Sequence, residues 1–239
     1  MRIALFVPCY VDQFYPRVAE SVVRILEKLG HEIDFDKSLI CCGQPAFNAG
    51  SWDNARSVGG RIINRLQEAE AVVVPSGSCA TMIRVFYPEI FKGSDRENFA
   101  RALADKTYEF SQFVVDRLGV ADLQSRFPGK ATFHDGCHGL RELGVRSQPR
   151  LLLSHVRGLE LIEMEDNEVC CGFGGLFAVK FPMISTAMGE TKCDLAQQTG
   201  ADYLISNDSS CLMHLEGLLK RSGSKMKTLH LAEVLAQWS

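Results

Sequence analysis

The stretch Cys170-Cys171-Gly172-Phe173-Gly174-Gly175, with its earlier echo Cys41-Cys42-Gly43-Gln44-Pro45, decides how the chain reads. Adjacent cysteines followed by glycine are unusual even once in a chain of 239 residues. Here they occur twice, and each pair has one cysteine upstream and one downstream. Cys9 and Cys79 flank the first pair, Cys137 and Cys211 the second. Corresponding cysteines stand 128 to 132 residues apart, so eight of the nine form a duplicated pattern and only Cys193 falls outside it. A repeat on this scale defines the architecture before local propensity is weighed.

The segments around the cysteines repeat as well. Residues 2–7 read as a short buried strand that ends at Pro8-Cys9. From 16 to 29 the apolar residues Val18, Val22, Ile25, Leu26 and Leu29 recur at steps of three and four, which predicts a helix stopped by Gly30. A second strand over 31–35, with Ile33 and Phe35 on one face, leads to the first cysteine pair. A helix over 52–69 and a buried strand over 71–74 follow, and Ser76-Gly77-Ser78-Cys79 reads as a turn-like loop. The second half repeats the scheme. Strands over 131–134, 158–162 and 203–205 run toward Cys137, the Cys170-Cys171 pair and Cys211, with helices over 148–156 and 183–198 between them.

Residues 85–127 read as a helical insert whose early part, about 85–106, has no counterpart in the second half. Its later part, 107–115, resembles the closing segment 228–235. The expectation is an α/β protein of two pseudo-repeated Rossmann-like halves, residues 1–127 and 128–239, with mainly parallel sheets. No linker rich in proline, glycine or serine separates them, so the halves should pack directly. In a parallel sheet the strand-to-helix loops gather at the carboxyl edge, where three distant loops can deliver four thiols to one place. Helix N-termini at that edge favour thiolate over thiol.

A net charge of −3 offers no nucleic-acid footprint, and 46% hydrophobic with 23% charged residues is an ordinary globular balance. The apolar runs are far too short for a transmembrane segment, and the N-terminus lacks the features of a signal peptide. Nine cysteines without an export signal point to the reducing cytoplasm, where clustered cysteine means metal or redox chemistry rather than a disulfide framework.

Two metal chemistries compete for Cys9, Cys41, Cys42, Cys79, Cys137, Cys170, Cys171 and Cys211. Structural zinc usually draws on cysteine pairs two to four residues apart, and no Cys-x-x-Cys occurs in the chain. Adjacent cysteines in extended backbone point to opposite faces, which suits an iron–sulfur cluster with several irons better than a single ion. The ordinary ferredoxin spacing is absent too, so the residues indicate an unconventional cluster held by distant loops, with zinc as the alternative.

The order Cys, Cys-Cys-Gly, Cys, present twice over nearly the whole chain, resembles the cysteine-rich CCG family. That family includes the cysteine-rich subunit of heterodisulfide reductase and the iron–sulfur subunits of glycolate oxidase and anaerobic glycerol-3-phosphate dehydrogenase. With Cys41-Cys42-Gly43-Gln44-Pro45, Cys170-Cys171-Gly172-Phe173-Gly174-Gly175 and the ending His230-Leu231-Ala232-Glu233-Val234-Leu235, the chain is similar to the lactate utilisation protein A family. The resemblance implies an iron–sulfur cluster, 4Fe-4S as one type, and electron transfer within a complex that oxidises L-lactate to pyruvate. It also implies two partner proteins, one with ferredoxin-like clusters. A heterodisulfide-reductase-like or glycolate-oxidase-type redox subunit is the neighbouring alternative, and a zinc-stabilised docking subunit the non-catalytic one. The fullest family motif carries a fifth cysteine per copy, where this chain has Met82 and His214.

His214 and His138 are candidate additional ligands, and Met82 reads as core. His134 and His138, flanking Cys137, are candidates for hydrogen bonds to cluster sulfur. Cys193 reads as a buried apolar thiol. The Gly172–Gly175 run does not complete a dinucleotide fingerprint, because Phe177 stands where the last glycine would be. No catalytic residue and no nicotinamide or flavin site is legible, which points to an electron carrier that is inactive alone.

Overall fold

The computed structural model describes residues 1–238. Strands β1 (Arg2–Leu5), β2 (Glu32–Phe35), β3 (Ala71–Val74) and β4 (Thr107–Glu109) form one sheet in the order β2-β1-β3-β4. Strands β5 (Arg126–His134), β6 (Arg157–Leu161), β7 (Tyr203–Ser206) and β8 (Lys227–His230) form a second in the order β6-β5-β7-β8. Every pairing is parallel. The registers match as well: Leu5 lies opposite Val73, and Phe133 opposite Ile205. The protein is therefore α/β with two similar halves, as the repeat predicts, and its sheets are wholly parallel.

The segment 85–127 is less helical than its sequence suggests. Helices at Tyr87–Ile90 and Glu97–Asp105 occupy its early part, but Thr107–Glu109 then extends the open edge of β3. Thr107 and Glu109 are wholly buried there, and three residues suffice because the sheet supplies every backbone partner along one side. Strand β5 begins at Arg126, inside the span that the sequence assigns to the first half. Cys79 lies in a helical turn, Gly77–Thr81, rather than in a loop, because Ser76 caps that turn by accepting from the Cys79 amide.

The halves share a core. Helix Pro16–Lys28 buries Val18, Val22, Ile25 and Leu26, each worth about 1.5–3 kcal/mol when withdrawn from water. The same cluster holds Ile3, Leu5 and Val73 from the first sheet and Phe133, Leu152, Ile205 and Leu235 from the second half. Helix Leu231–Leu235 packs on Pro16–Lys28, and helix Phe110–Gln112 packs on Ser147–Ser154. Each half thus closes over the first long helix of the other. Among the described residues no helix is long and apolar enough to cross a membrane.

In each sheet the strand order reverses beside the first strand, between β1 and β3 and between β5 and β7. Open parallel sheets hold ligands in the crevice outside the carboxyl ends of the strands at such a switch point. Cys9 follows β1 and Cys79 follows β3, while Cys137 follows β5 and Cys211 follows β7.

Candidate metal centre

Each half assembles four thiols. Cys9 opens the short helix Cys9–Phe14, and Cys137 opens its counterpart Cys137–Arg141. The paired cysteines precede Gly43 and Gly172, which adopt left-handed backbone at φ +83° and +84°. That turn returns the glycine N–H to the first sulfur of each pair, at 3.4 Å from Cys41 Sγ and from Cys170 Sγ. In the first half Cys42 Sγ stands 3.2 Å from Cys79 Sγ, well beyond a disulfide bond, and all nine cysteines are free thiols.

The two quartets open on one cleft of about 310 Å³, lined by all eight repeat cysteines. Its walls come from both halves. Tyr10 meets Phe173 edge to face at 5.5 Å between centroids. The Gln44 amide donates to the Ser78 carbonyl at 3.3 Å and to His138 Nδ1 at 2.9 Å. Thr81 Oγ1 donates to the His138 carbonyl, and the Ser78 N–H donates to Asp208 Oδ2 at 2.9 Å. The backbones nearly touch at Gly77 and Gly139, where a Cβ on Gly77 would come within 3.0 Å of the Gly139 Cα. Only glycine permits that approach.

The thiols perturb one another in the same way in both halves. Hydrogen bonds from Cys42 and Cys9, helped by the Gly43 N–H, pull the Cys41 thiol down to about 2. Hydrogen bonds from Cys137 and Cys171, helped by the Gly172 N–H, pull Cys170 down to about 2. The donors move the opposite way: Cys9 and Cys137 are pushed above the usual thiol range, first by the bond each gives and then by burial. Cys42 and Cys171 rise for the same reasons. A quartet by itself thus concentrates one thiolate and keeps the two thiols that donate to it protonated. A bound cation would relieve that frustration, because it stabilises every thiolate at once. Four thiols per half, in mutual contact and without disulfides, fit a thiolate-ligated metal centre.

The remaining predicted residues lie at graded distances from this chemistry. His138 lines the cleft, but its Nδ1 is taken by Gln44. His214 is not among the residues lining the cleft; its Nε2 is 3.3 Å from the Ser185 carbonyl and its ring lies beside Phe173. Met82 is wholly buried among the apolar neighbours of Cys42 and Cys79. Cys193 sits in the apolar core of the second half, where burial pushes its thiol up to about 12. His134 is fully buried, with neither ring nitrogen hydrogen-bonded among the described residues, and one of its nitrogens lies within 4.8 Å of the Cys171 and Cys211 sulfurs.

Several contributors are not singled out by the sequence. Asp208 joins the halves, and its signal is present, since Asp208-Ser209-Ser210 before an apolar helix is an N-cap pattern. Tyr87, whose hydroxyl donates to the Cys42 carbonyl at 2.8 Å, gives no signal. Lys192 is wholly buried, and nothing in the sequence distinguishes it from a solvated helix lysine.

Comparison with known proteins agrees with this geometry. The family described as CCG, a cysteine-rich domain, matches residues 3–84 and again 131–216, once on each half. The chain is 47% identical over 236 residues to "Lactate utilization protein A 1" of Bacillus cereus (strain AH820), covering 98% of both sequences. The same identity and coverage hold for "Lactate utilization protein A" of Bacillus thuringiensis (strain Al Hakam). Among solved structures, a hypothetical protein from Helicobacter pylori superimposes with a TM-score of 0.58 at 13% identity. That match covers 98% of this chain and 48% of the other, so the chain spans about half its length, and the likeness is one of fold.

Proposed function

The chain belongs to the cysteine-rich CCG domain family, and on that basis we propose that it is the iron–sulfur electron-transfer subunit of a cytoplasmic system oxidising L-lactate to pyruvate. The observation that carries the reading is the pair of four-thiol sets opening on one cleft between the halves. Cys9, Cys41, Cys42 and Cys79 would hold one cluster, and Cys137, Cys170, Cys171 and Cys211 the other. Such clusters supply one-electron storage at potentials set by their surroundings. The chain's own part is to deliver thiolates from three loops, to donate the Gly43 and Gly172 N–H groups to sulfur, and to keep the site under apolar cover.

The lactate role comes from the relatives' names, and the cleft suggests how it is divided among proteins. A lactate carboxylate is best held by arginine or lysine, yet among the described residues lining the cleft there is neither. Two-electron oxidation also needs a hydride acceptor, and the sequence carries no nicotinamide or flavin fingerprint. Substrate oxidation therefore belongs to partner proteins, of which one carries ferredoxin-like clusters, and this chain relays electrons.

The test is anaerobic reconstitution followed by iron, sulfide and zinc analysis, electron paramagnetic resonance, and lactate turnover with an artificial acceptor. Iron and sulfide in both halves, with turnover only when both partners are added, is the expected result. Zinc without iron would establish the docking alternative, and turnover by the isolated chain would place lactate in this cleft.

A further inference from the structure

The repeat is broken where it matters electrically. Leu5 and Phe133 hold corresponding registers against Val73 and Ile205, so the next residues, Phe6 and His134, occupy the same place beneath their quartets. A Cβ on Gly43 would meet Val58 and the Ala55 carbonyl, while one on Gly172 would meet Met188 and the Ser185 carbonyl. Helix Trp52–Leu66 therefore corresponds to helix Pro182–Gln198, with Val58 matched to Met188. One turn further on, Ile62 is matched to Lys192. All four side chains, Phe6, Ile62, His134 and Lys192, are at most 1% exposed. The first quartet rests on two apolar residues, the second on an imidazole and an amine.

Both polar residues are set up to act on the quartet above them. Lys192 Nζ donates to the Asp166 carbonyl at 3.0 Å, to the Asn167 carbonyl at 2.9 Å and to Met164 Sδ at 3.7 Å. Three acceptors match the three N–H groups of an ammonium, whereas a neutral amine has two. Burial disfavours that charge and lowers the amine from its ordinary value, while Asp135, Cys171, Cys170 and Asp166 favour it, which puts the two sulfurs within its electrostatic reach. His134 carries an N–H in either charge state of its ring, with a ring nitrogen within 4.8 Å of the Cys171 and Cys211 sulfurs. Of the carboxylates on this side, Asp135 acts on Lys192, and Asp208 acts on Cys137 and Cys211. Asp135 is held bidentately by Arg150 at 2.9 and 2.8 Å. Asp208 accepts from Ser76 and Ser78 of the first half and from Ser210 of its own, so it borders both quartets.

We propose that His134, as an N–H donor to cluster sulfur, and Lys192, as a buried cation, make the second centre easier to reduce than the first, so that an electron delivered to the protein settles in the second half. Donors to sulfur and nearby positive charge both favour the reduced, more negative state of a cluster. Phe6 and Ile62 offer neither. The inference rests on both quartets holding clusters.

The test titrates the anaerobically reconstituted protein with dithionite and redox mediators while electron paramagnetic resonance follows each centre. Cys41→Ser and Cys170→Ser variants, each lacking one centre, assign the signals. The second centre should be reduced at the higher potential. His134→Phe and Lys192→Met, which install apolar residues as in the first half, should each shift that potential downward and leave the first centre's unchanged. His134→Gln, which retains an N–H, should fall between. Circular dichroism and the first centre's signal check that the variants fold, and the wild-type order of reduction decides the matter without them. A common midpoint in both halves, or earlier reduction of the first, overturns the inference while leaving the cluster assignment intact. Failure to take up iron in either half overturns the cluster assignment and this inference with it.

Discussion

The Ser78 N–H donates to Asp208 Oδ2 at 2.9 Å, joining the helical turn that carries Cys79 to the N-cap of the helix that carries Cys211. The same carboxylate accepts from Ser76 at 3.2 Å and, through Oδ1, from the Ser210 hydroxyl at 2.6 Å. Asp208 is 2% exposed, so water cannot replace it. Asp208→Ala should therefore cost about 1–3 kcal/mol, the penalty for leaving buried donors unpaired. Asp208→Asn, which keeps one acceptor, should cost less. Urea denaturation of the metal-free protein under reducing conditions measures both, and equal stability of Asp208→Ala and wild type would show that this joint contributes nothing to holding the halves together.

If each quartet is a separate centre, Cys170→Ser should halve the iron per chain and leave the first half's signal in place. Cys41→Ser should do the reverse. Cys193→Ser should leave the iron content unchanged, because Cys193 lies in the apolar core with its thiol directed to the Leu215 carbonyl. Loss of all iron from a folded Cys170→Ser protein would point to one shared centre instead.

The two Cys-Cys-Gly turns should respond unequally to alanine. Both glycines sit in left-handed backbone, which costs an L-residue about 1–2 kcal/mol. At Gly43 the added Cβ would meet nothing closer than 3.4 Å. At Gly172 it would lie 2.5 Å from the Ser185 carbonyl oxygen and 2.8 Å from Met188 Cβ, so helix Pro182–Gln198 would have to shift. Gly172→Ala should thus destabilise the protein more than Gly43→Ala and displace Cys170 and Cys171. Thermal denaturation and iron content of the two variants test the difference.

Glu109 and His230 occupy corresponding caps after β4 and β8, and both are buried. Burial pushes the Glu109 carboxyl up from 4.5 to about 7, against the bonds it accepts from Ser111 and Gln112. The folded protein therefore retains a proton that the unfolded chain has already lost. Stability from this group is full below about pH 4.5 and falls as pH rises through 7. Glu109→Gln cannot ionise, so its stability relative to wild type should increase across that window, by at most about 1.4 kcal/mol per pH unit, and then level off. Denaturant titrations of both proteins at pH 5 and pH 8 give the comparison, and a pH-independent difference would place Glu109 in a more solvated site.

The sequence alone determined the duplication, the eight thiols and the parallel α/β character. Each rests on local or periodic information: a residue type at a recurring offset, an apolar run of strand length, a glycine that ends a helix. Even the short strand β4 is foreshadowed by the likeness of 107–115 to 228–235, although its neighbours suggest helix. Tertiary structure decided what lies between the repeats. That the quartets share one cleft depends on how helix Pro16–Lys28 is clasped by the second half, a packing choice that no single segment encodes. That Asp208 joins the halves and that His138 is held by Gln44 are pairings across 94 to 132 positions of chain, and Lys192, buried where Ile62 lies in the first half, bonds to carbonyls 25 and 26 positions away. A lysine on a helix reads as solvated until its surroundings are known, because its burial depends on carbonyls and thiols brought beside it by the fold and not on its sequence neighbours.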